Sequence, residues 1–357
     1  MEERIRRLRE TLDRAGLDAA LLSSSENIRY FTGFTSDECE VVVTKGRTYL
    51  VTDFRYTIQA KLQTRGLCEI IEINPVRDQL RKVEEILVDN GCKSCAFEED
   101  KLTVALFNVY EKMPVRFVPL GSDISILRVR KTGDEVEKLQ KAQQLADAAF
   151  TKLVPELHVG MTESEVAAKL NYYCSLDGSE GPSFDPIVGS GPNGAMCHAV
   201  PGERRFEKGD FVVFDFGCLY DGYHSDMTRT VGFGPIDDEL RKIYDITYEA
   251  QLLTLAGLKG GIGGAELDAI ARDYITSKGY GENFGHGLGH GFGLLIHEPP
   301  RAGKSSSDIL EPGMTVTVEP GIYIEGKGGV RIEDCCVVTE DGYINLVSFE
   351  KDLIILS

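Results

Sequence analysis

The chain has 357 residues, 42% hydrophobic and 27% charged, which is ordinary for a globular enzyme, and its length predicts two or three domains. Its net charge of −18 argues against nucleic-acid binding, which wants basic patches, and says little about substrate. No apolar run approaches the roughly 18–20 residues of a membrane span, so no membrane association is expected.

The first residues, MEERIRRLRE, are charged and lack the apolar region of a secretion signal. The nine cysteines are scattered and odd in number, so they read as free thiols and, with that start, predict a cytoplasmic protein. Residues 1–15 read as an amphipathic helix, 19–23 as a strand, and 39–51 as a hairpin turning at Lys45-Gly46. Helical patterns at 55–65, 76–89 and 103–112 then alternate with short strands at 68–74, 94–98 and 115–120. This alternation predicts an α/β domain over residues 1–124. It holds no histidine and no catalytic constellation, and its lone CxxC, Cys92 to Cys95, reads as two ordinary thiols.

A basic stretch, Arg128 to Lys131, precedes a long helical pattern from about Asp134 to Leu157 and opens a second domain, 125–357. This domain carries a weak internal repeat. Gly160, Glu165, Val166, Ala168, Tyr173 and Gly178 recur as Gly261, Glu266, Leu267, Ala269, Tyr274 and Gly279. Each copy has a long helix, a glycine, then a second helix ending at glycine, with Thr162 and Glu165 forming a capping-box pattern in the first. Two related halves meeting at a shared site is the reading this pattern favours.

Five metal-binding side chains fall near strand ends in this region: Asp215, Asp226, His290, Glu319 and Glu333. Four carboxylates and one imidazole suit a pair of divalent cations. The segment FVVFDFGCLYDGYHSDMTRT reads as a hairpin turning at Asp221-Gly222. That register pairs Tyr220 with Tyr223 and sets Asp215 opposite Thr228. It makes Asp226 the diagonal neighbour of Asp215, within roughly 7–8 Å. An isolated buried carboxylate at the end of Phe211–Phe214 would be costly, so Asp215 needs a metal or another cation. Arg331 and Glu333 share a strand face, and Arg331 can balance the surplus negative charge.

The segment GHGLGHGFGLLIHEPP brings His286, His290 and His297 together among glycines that permit close backbone approach, and not all three need be ligands. His198 lies just upstream of the Asp215 strand, while His158 and His224 read as structural or surface residues. No nucleophile elbow, Walker motif or convincing dinucleotide fingerprint occurs.

The stretches DFGCLYDGYHSDMTRT, GHGLGHGFGLLIHEPP, TVEPGIYI and GGVRIED together resemble the pita-bread metallopeptidases, in the proline-handling branch of Xaa-Pro aminopeptidase and Xaa-Pro dipeptidase (prolidase). The resemblance covers residues 130–350, and the first 125 residues resemble, more weakly, a creatinase-like domain. It implies a mixed α/β (α+β) fold, with a pseudo-symmetric pita-bread catalytic domain behind a smaller N-terminal α/β domain. It implies metal ligation by Asp215, Asp226, His290, Glu319 and Glu333, with none substituted. It also implies substrate contacts at His198 and His297, which help stabilise the tetrahedral intermediate. His286 corresponds to a histidine near the site and Arg301 to a residue near the substrate's end. Members are usually dimers or larger.

The expected function is a dinuclear Xaa-Pro aminopeptidase acting on peptides with proline second, in which Glu319 passes a proton to the leaving imino nitrogen and the histidines hydrogen-bond the developing charge. Two divalent cations would activate the attacking water and polarise the scissile carbonyl. Manganese suits this ligation best, with cobalt, zinc or iron as alternatives. A strict Xaa-Pro dipeptidase is the closest rival. A methionine aminopeptidase, a creatinase-type amidinohydrolase and a non-enzymatic interaction module stand further off. A homodimer is expected.

Overall fold

The computed structural model describes residues 1–74 and 78–357, and the chain divides into two units, Met1–Arg128 and Val129–Ser357. Residues 125–128, expected to open the second domain, lie in the first unit as the end of a short helix and a 3-10 turn. Arg128 is buried in the first unit, where its Nε donates to Asn27 Oδ1 at 3.0 Å.

The first unit is built on a six-stranded sheet. Its strand order is Glu69–Ile73, Thr48–Asp53, Cys39–Thr44, Ala19–Leu22, Ser94–Phe97 and Arg116–Pro119. Cys39–Thr44 pairs antiparallel with Thr48–Asp53 as a hairpin and with Ala19–Leu22 across the helix Ser25–Thr32, and the other three pairs are parallel. Helices Glu2–Ala15, Thr57–Thr64, Gln79–Asp89 and Val104–Tyr110 fall where the apolar periodicity put them. Residues 76 and 77 of the expected third helix lie outside the described residues. Leu21, Val42, Val51, Val83 and Leu87 are fully buried in one core, each contributing about 1.5–3 kcal/mol of burial.

The helix Ser25–Thr32 has no counterpart in the sequence reading. Ser24 caps it, and the buried Glu98 accepts hydrogen bonds from the backbone of Ser23 and Ser24 and from the side chains of Ser24 and Asn27. A helix start held by a carboxylate more than 70 positions away leaves little local signature.

The second unit shows the repeat as structure. Helices Gly133–Leu153 and Glu163–Cys174 form the first pair, and Asp238–Gly257 and Gly264–Ser277 the second. The glycines 101 positions apart adopt matching left-handed backbones: Gly160 and Gly261 at φ 94° and 87°, and Gly178 and Gly279 both at 90°. Capping boxes start the helices of the first pair, at Thr132/Glu135 and Thr162/Glu165. The strands Ile187–Ser190, Phe211–Phe216, Met227–Phe233 and Ile355–Leu356 form one sheet. Thr315–Val318, Asp334–Val338 and Tyr343–Asn345 form another. Two short ribbons, Gly289–Gly291 with Glu298–Ala302 and Gly321–Ile324 with Gly328–Arg331, complete the frame. Val316, Val318, Val330 and Ile332 are buried with Ile243 and Leu267 of the second helix pair, which fixes the ends of the strands that carry acidic residues. Among the described residues no helix is long and apolar enough to cross a membrane.

Candidate active site

The Asp221-Gly222 turn forms as read. Both residues have positive φ, 47° and 71°, Tyr220 pairs with Tyr223, and Asp215 pairs with Thr228. The ladder between them is not continuous, however. At Gly217 a Cβ would lie 1.8 Å from Ser225 O, and the Ser225 hydroxyl accepts the Cys218 N–H at 2.9 Å. This interruption leaves Ser225 and Asp226 outside the strands, so Asp226 reaches the site from a kink and not as a diagonal neighbour on an unbroken ribbon.

All five expected ligand residues line a single cavity of about 420 Å³. Oxygens of Asp226 and Glu333 and a nitrogen of His290 lie within 4.8 Å of one another. His290 Nε2 is 3.6 Å from Asp226 Oδ2 and 3.5 Å from Glu319 Oε1. Buried Asp215 Oδ1 and Glu333 Oε1 have no hydrogen-bond partner. Burial, reinforced by the neighbouring Glu333, Asp215 and Glu319, holds the Asp226 carboxyl well above its usual range. Burial and the charge of Glu319 do the same to Glu333, and burial pushes Glu319 up to about 7. Burial pushes His290 down to about 3, so the imidazole is neutral. Crowded carboxylates with orphaned oxygens beside a neutral imidazole fit divalent cations, because a cation supplies the charge and the missing partners together.

Arg331 lies beneath this cluster. Its Nη2 donates to Asp215 Oδ2 at 2.5 Å, its Nη1 to Tyr323 Oη at 2.9 Å and Cys197 O at 3.1 Å, and its Nε to Thr228 Oγ1 at 3.1 Å. Arg331 ends its strand and Glu333 lies in the link before Asp334–Val338, so the two do not share a strand face, and the ion pair of Arg331 is with Asp215. Thr228 in turn donates to Glu333 Oε2 at 2.6 Å. Thr317 bonds Glu319 Oε1 at 3.0 Å and accepts the His290 N–H at 3.0 Å.

His198, His286, His297 and Arg301 line the same cavity, with Phe184, Ile187 and Ile296 as its apolar wall. The His297 ring meets the His290 ring edge-on, centroids 4.3 Å apart. His286 Nε2 lies 2.9 Å from Tyr323 Oη. His224 stands outside this cavity, its Nδ1 2.7 Å from Ser183 Oγ, and burial pushes it down to about 4. Thr228, Thr317 and Tyr323 were missed in the sequence. Thr228 had a signal, since the hairpin register already set it opposite Asp215. Tyr323 had none beyond its place in the strand Gly321–Ile324.

The chain matches the model of metallopeptidase family M24 over residues 137–340 and that of the creatinase/prolidase N-terminal domain over residues 4–130. It is similar to the solved structure of an Xaa-Pro dipeptidase from Bacillus anthracis, 43% identical over 99% of both chains, with a TM-score of 0.96. It is 36% identical to the Xaa-Pro dipeptidase of Pyrococcus furiosus, over 99% of this chain and all of the relative. An X-Pro aminopeptidase from Thermotoga maritima is also similar, 36% identical over 96% of this chain and 99% of that one, with a TM-score of 0.91. These relatives lean toward the dipeptidase, which stood second in the sequence reading. The matching domains, the shared fold and the metal-compatible cluster together place the chain in metallopeptidase family M24, as a metallo-exopeptidase of its proline-specific pita-bread branch.

Proposed function

We propose that this protein is an Xaa-Pro dipeptidase, hydrolysing the bond between a free N-terminal residue and a C-terminal proline. The observation that carries the reading is the single cavity, which joins the acidic cluster, four histidines and Arg301 in about 420 Å³. That volume is at the small end of ligand pockets and suits a dipeptide. The likeness to dipeptidases along nearly the whole chain supports the same choice over the aminopeptidase.

Asp215, Asp226, His290, Glu319 and Glu333 would hold two divalent cations, manganese fitting an oxygen-rich set with one imidazole, and cobalt, zinc or iron as alternatives. The cations, when bound, acidify the attacking water and polarise the scissile carbonyl. Glu319, fixed by Thr317, carries the proton to the leaving imino nitrogen. His198 and His297 hydrogen-bond the charge that develops on the carbonyl oxygen. Arg301 faces the substrate's far end, and its cationic group suits a free carboxylate there. Arg331 holds Asp215 in place and balances charge.

Residues 1–124 serve assembly, and the working unit is a homodimer. In support, Ile58 and Leu62 lie four positions apart on the helix Thr57–Thr64, Phe54 lies in the turn that precedes it, and the three are 75%, 72% and 71% exposed. Nine free cysteines suit a reducing cytoplasm. The test is to compare Ala-Pro with Ala-Pro-Ala. Rapid hydrolysis of the dipeptide alone supports the dipeptidase, and equal turnover of the tripeptide returns the assignment to the aminopeptidase.

A further inference from the structure

Lys131 and Glu298 form an ion pair whose side chains are each 1% exposed, with Lys131 Nζ 2.6 Å from Glu298 Oε1. A charge pair so fully withdrawn from water gains little stability over well-packed apolar side chains of the same volume. Its location gives it another use. Glu298 directly follows His297, and the chain between the strands Gly289–Gly291 and Glu298–Ala302 carries His297 back across His290. The register of that ribbon shifts at His290/Gly291, so strand pairing alone does not determine where His297 lies.

The pair supplies the missing constraint. A Cβ on Gly293 would lie 2.3 Å from Glu298 Oε1 and 3.1 Å from Lys131 Cε, so the connecting loop rests directly on the two charged groups. The same loop is tied at Gly293 O, which accepts the His224 N–H at 2.8 Å. Lys131 is itself anchored. Its backbone N–H donates to Gly313 O at 2.7 Å, and its ammonium also donates to Val129 O at 3.0 Å. Glu298 is thus held from a segment 167 positions away in the chain, and the His297 ring next to it is held edge-on to His290.

We propose that the Lys131–Glu298 pair is a positioning device for His297: it fixes the turn that aims this imidazole into the cavity, and touches neither substrate nor metal itself. The inference rests on the substrate-contact role proposed above for His297. Removing one partner would strand a buried charge, so the informative variant is the double Lys131→Met/Glu298→Met, which replaces the pair with apolar side chains of similar volume.

The double variant should keep its melting temperature and its metal content by elemental analysis. Its kcat on Ala-Pro should fall by ~10²-fold, as for loss of a charge-stabilising donor. KM should change by less than about threefold, since the loss falls on the transition state. Combined with His297→Ala, the pair replacement should cost nothing further, because residues acting through one group are not additive. A merely structural pair would instead add its full effect to that of His297→Ala. A crystal structure of the double variant should show the His297 ring displaced from its edge-on contact with His290. An unmoved ring, an unchanged kcat or full additivity would overturn the proposal. If the wild-type protein fails to cleave Ala-Pro, the functional reading is at fault, and the ring position still decides the positioning role.

Discussion

Thr228 is the most economical place to disturb the site without touching a metal-binding residue. It is fully buried, its hydroxyl donates to Glu333 Oε2 at 2.6 Å, and it accepts from Arg331 Nε at 3.1 Å. Thr228→Val keeps shape and strand preference and removes only the hydroxyl. Two hydrogen bonds are lost, one of them to the charged Arg331 guanidinium, so the metal-free protein should lose about 3 kcal/mol. For a unit of this size that corresponds to a melting-temperature drop of roughly 6–12 °C, at ~2–4 °C per kcal/mol. Glu333 would also be left free to rotate. A lost hydrogen bond behind a ligand typically weakens metal binding by ~10–100-fold. Calorimetry on chelator-stripped protein, with competition against a metal indicator, measures both quantities. Metal affinity within about threefold of wild type, together with an unchanged melting temperature, would refute the view that Thr228 orients Glu333.

His198→Ala and His297→Ala should each keep full metal content while kcat falls by ~10²–10³; loss of metal in either would reassign that residue as a ligand. Burial raises the Glu40 carboxyl from 4.5 to about 7, with Ser23 and Tyr110 as hydrogen-bond partners. A raised acid binds its proton more tightly when folded, so its stabilisation is complete below pH 4.5 and is lost as pH rises through about 7. That difference corresponds to about 3 kcal/mol in the first unit. Unfolding of Glu40→Gln at pH 5 and pH 8 should show that slope flattened, and an identical slope would remove Glu40 as its source. Replacing Phe54, Ile58 and Leu62 with serine should shift sedimentation from dimer to monomer at micromolar concentration. A wild-type monomer would end the dimer proposal.

The acidic site was legible because its signals are local. Asp215 closes an apolar run, the Asp221-Gly222 turn declares a hairpin, and glycines crowd His286 and His290. The two helix pairs were legible for the same reason, since capping residues and left-handed glycines recur at a fixed offset. What escaped is long-range. The helix Ser25–Thr32 depends on Glu98, and the Lys131–Glu298 pair joins segments 167 positions apart. The Gly217 interruption depends on how closely Ser225 O approaches, which strand alternation does not encode. The ligand set does not separate a dipeptidase from an aminopeptidase, because both readings use the same five residues.

The central claim is that five residues of the second unit hold two divalent cations without which no peptide is cleaved. Manganese titrated into chelator-stripped protein, with bound metal and Ala-Pro hydrolysis followed in the same samples, tests it most directly. Activity should be absent at the start and rise to a plateau as two equivalents bind per chain, and Asp226→Ala should bind less metal and stay inactive. Full hydrolysis in metal-free protein, or two tightly bound equivalents in Asp226→Ala, would contradict the account.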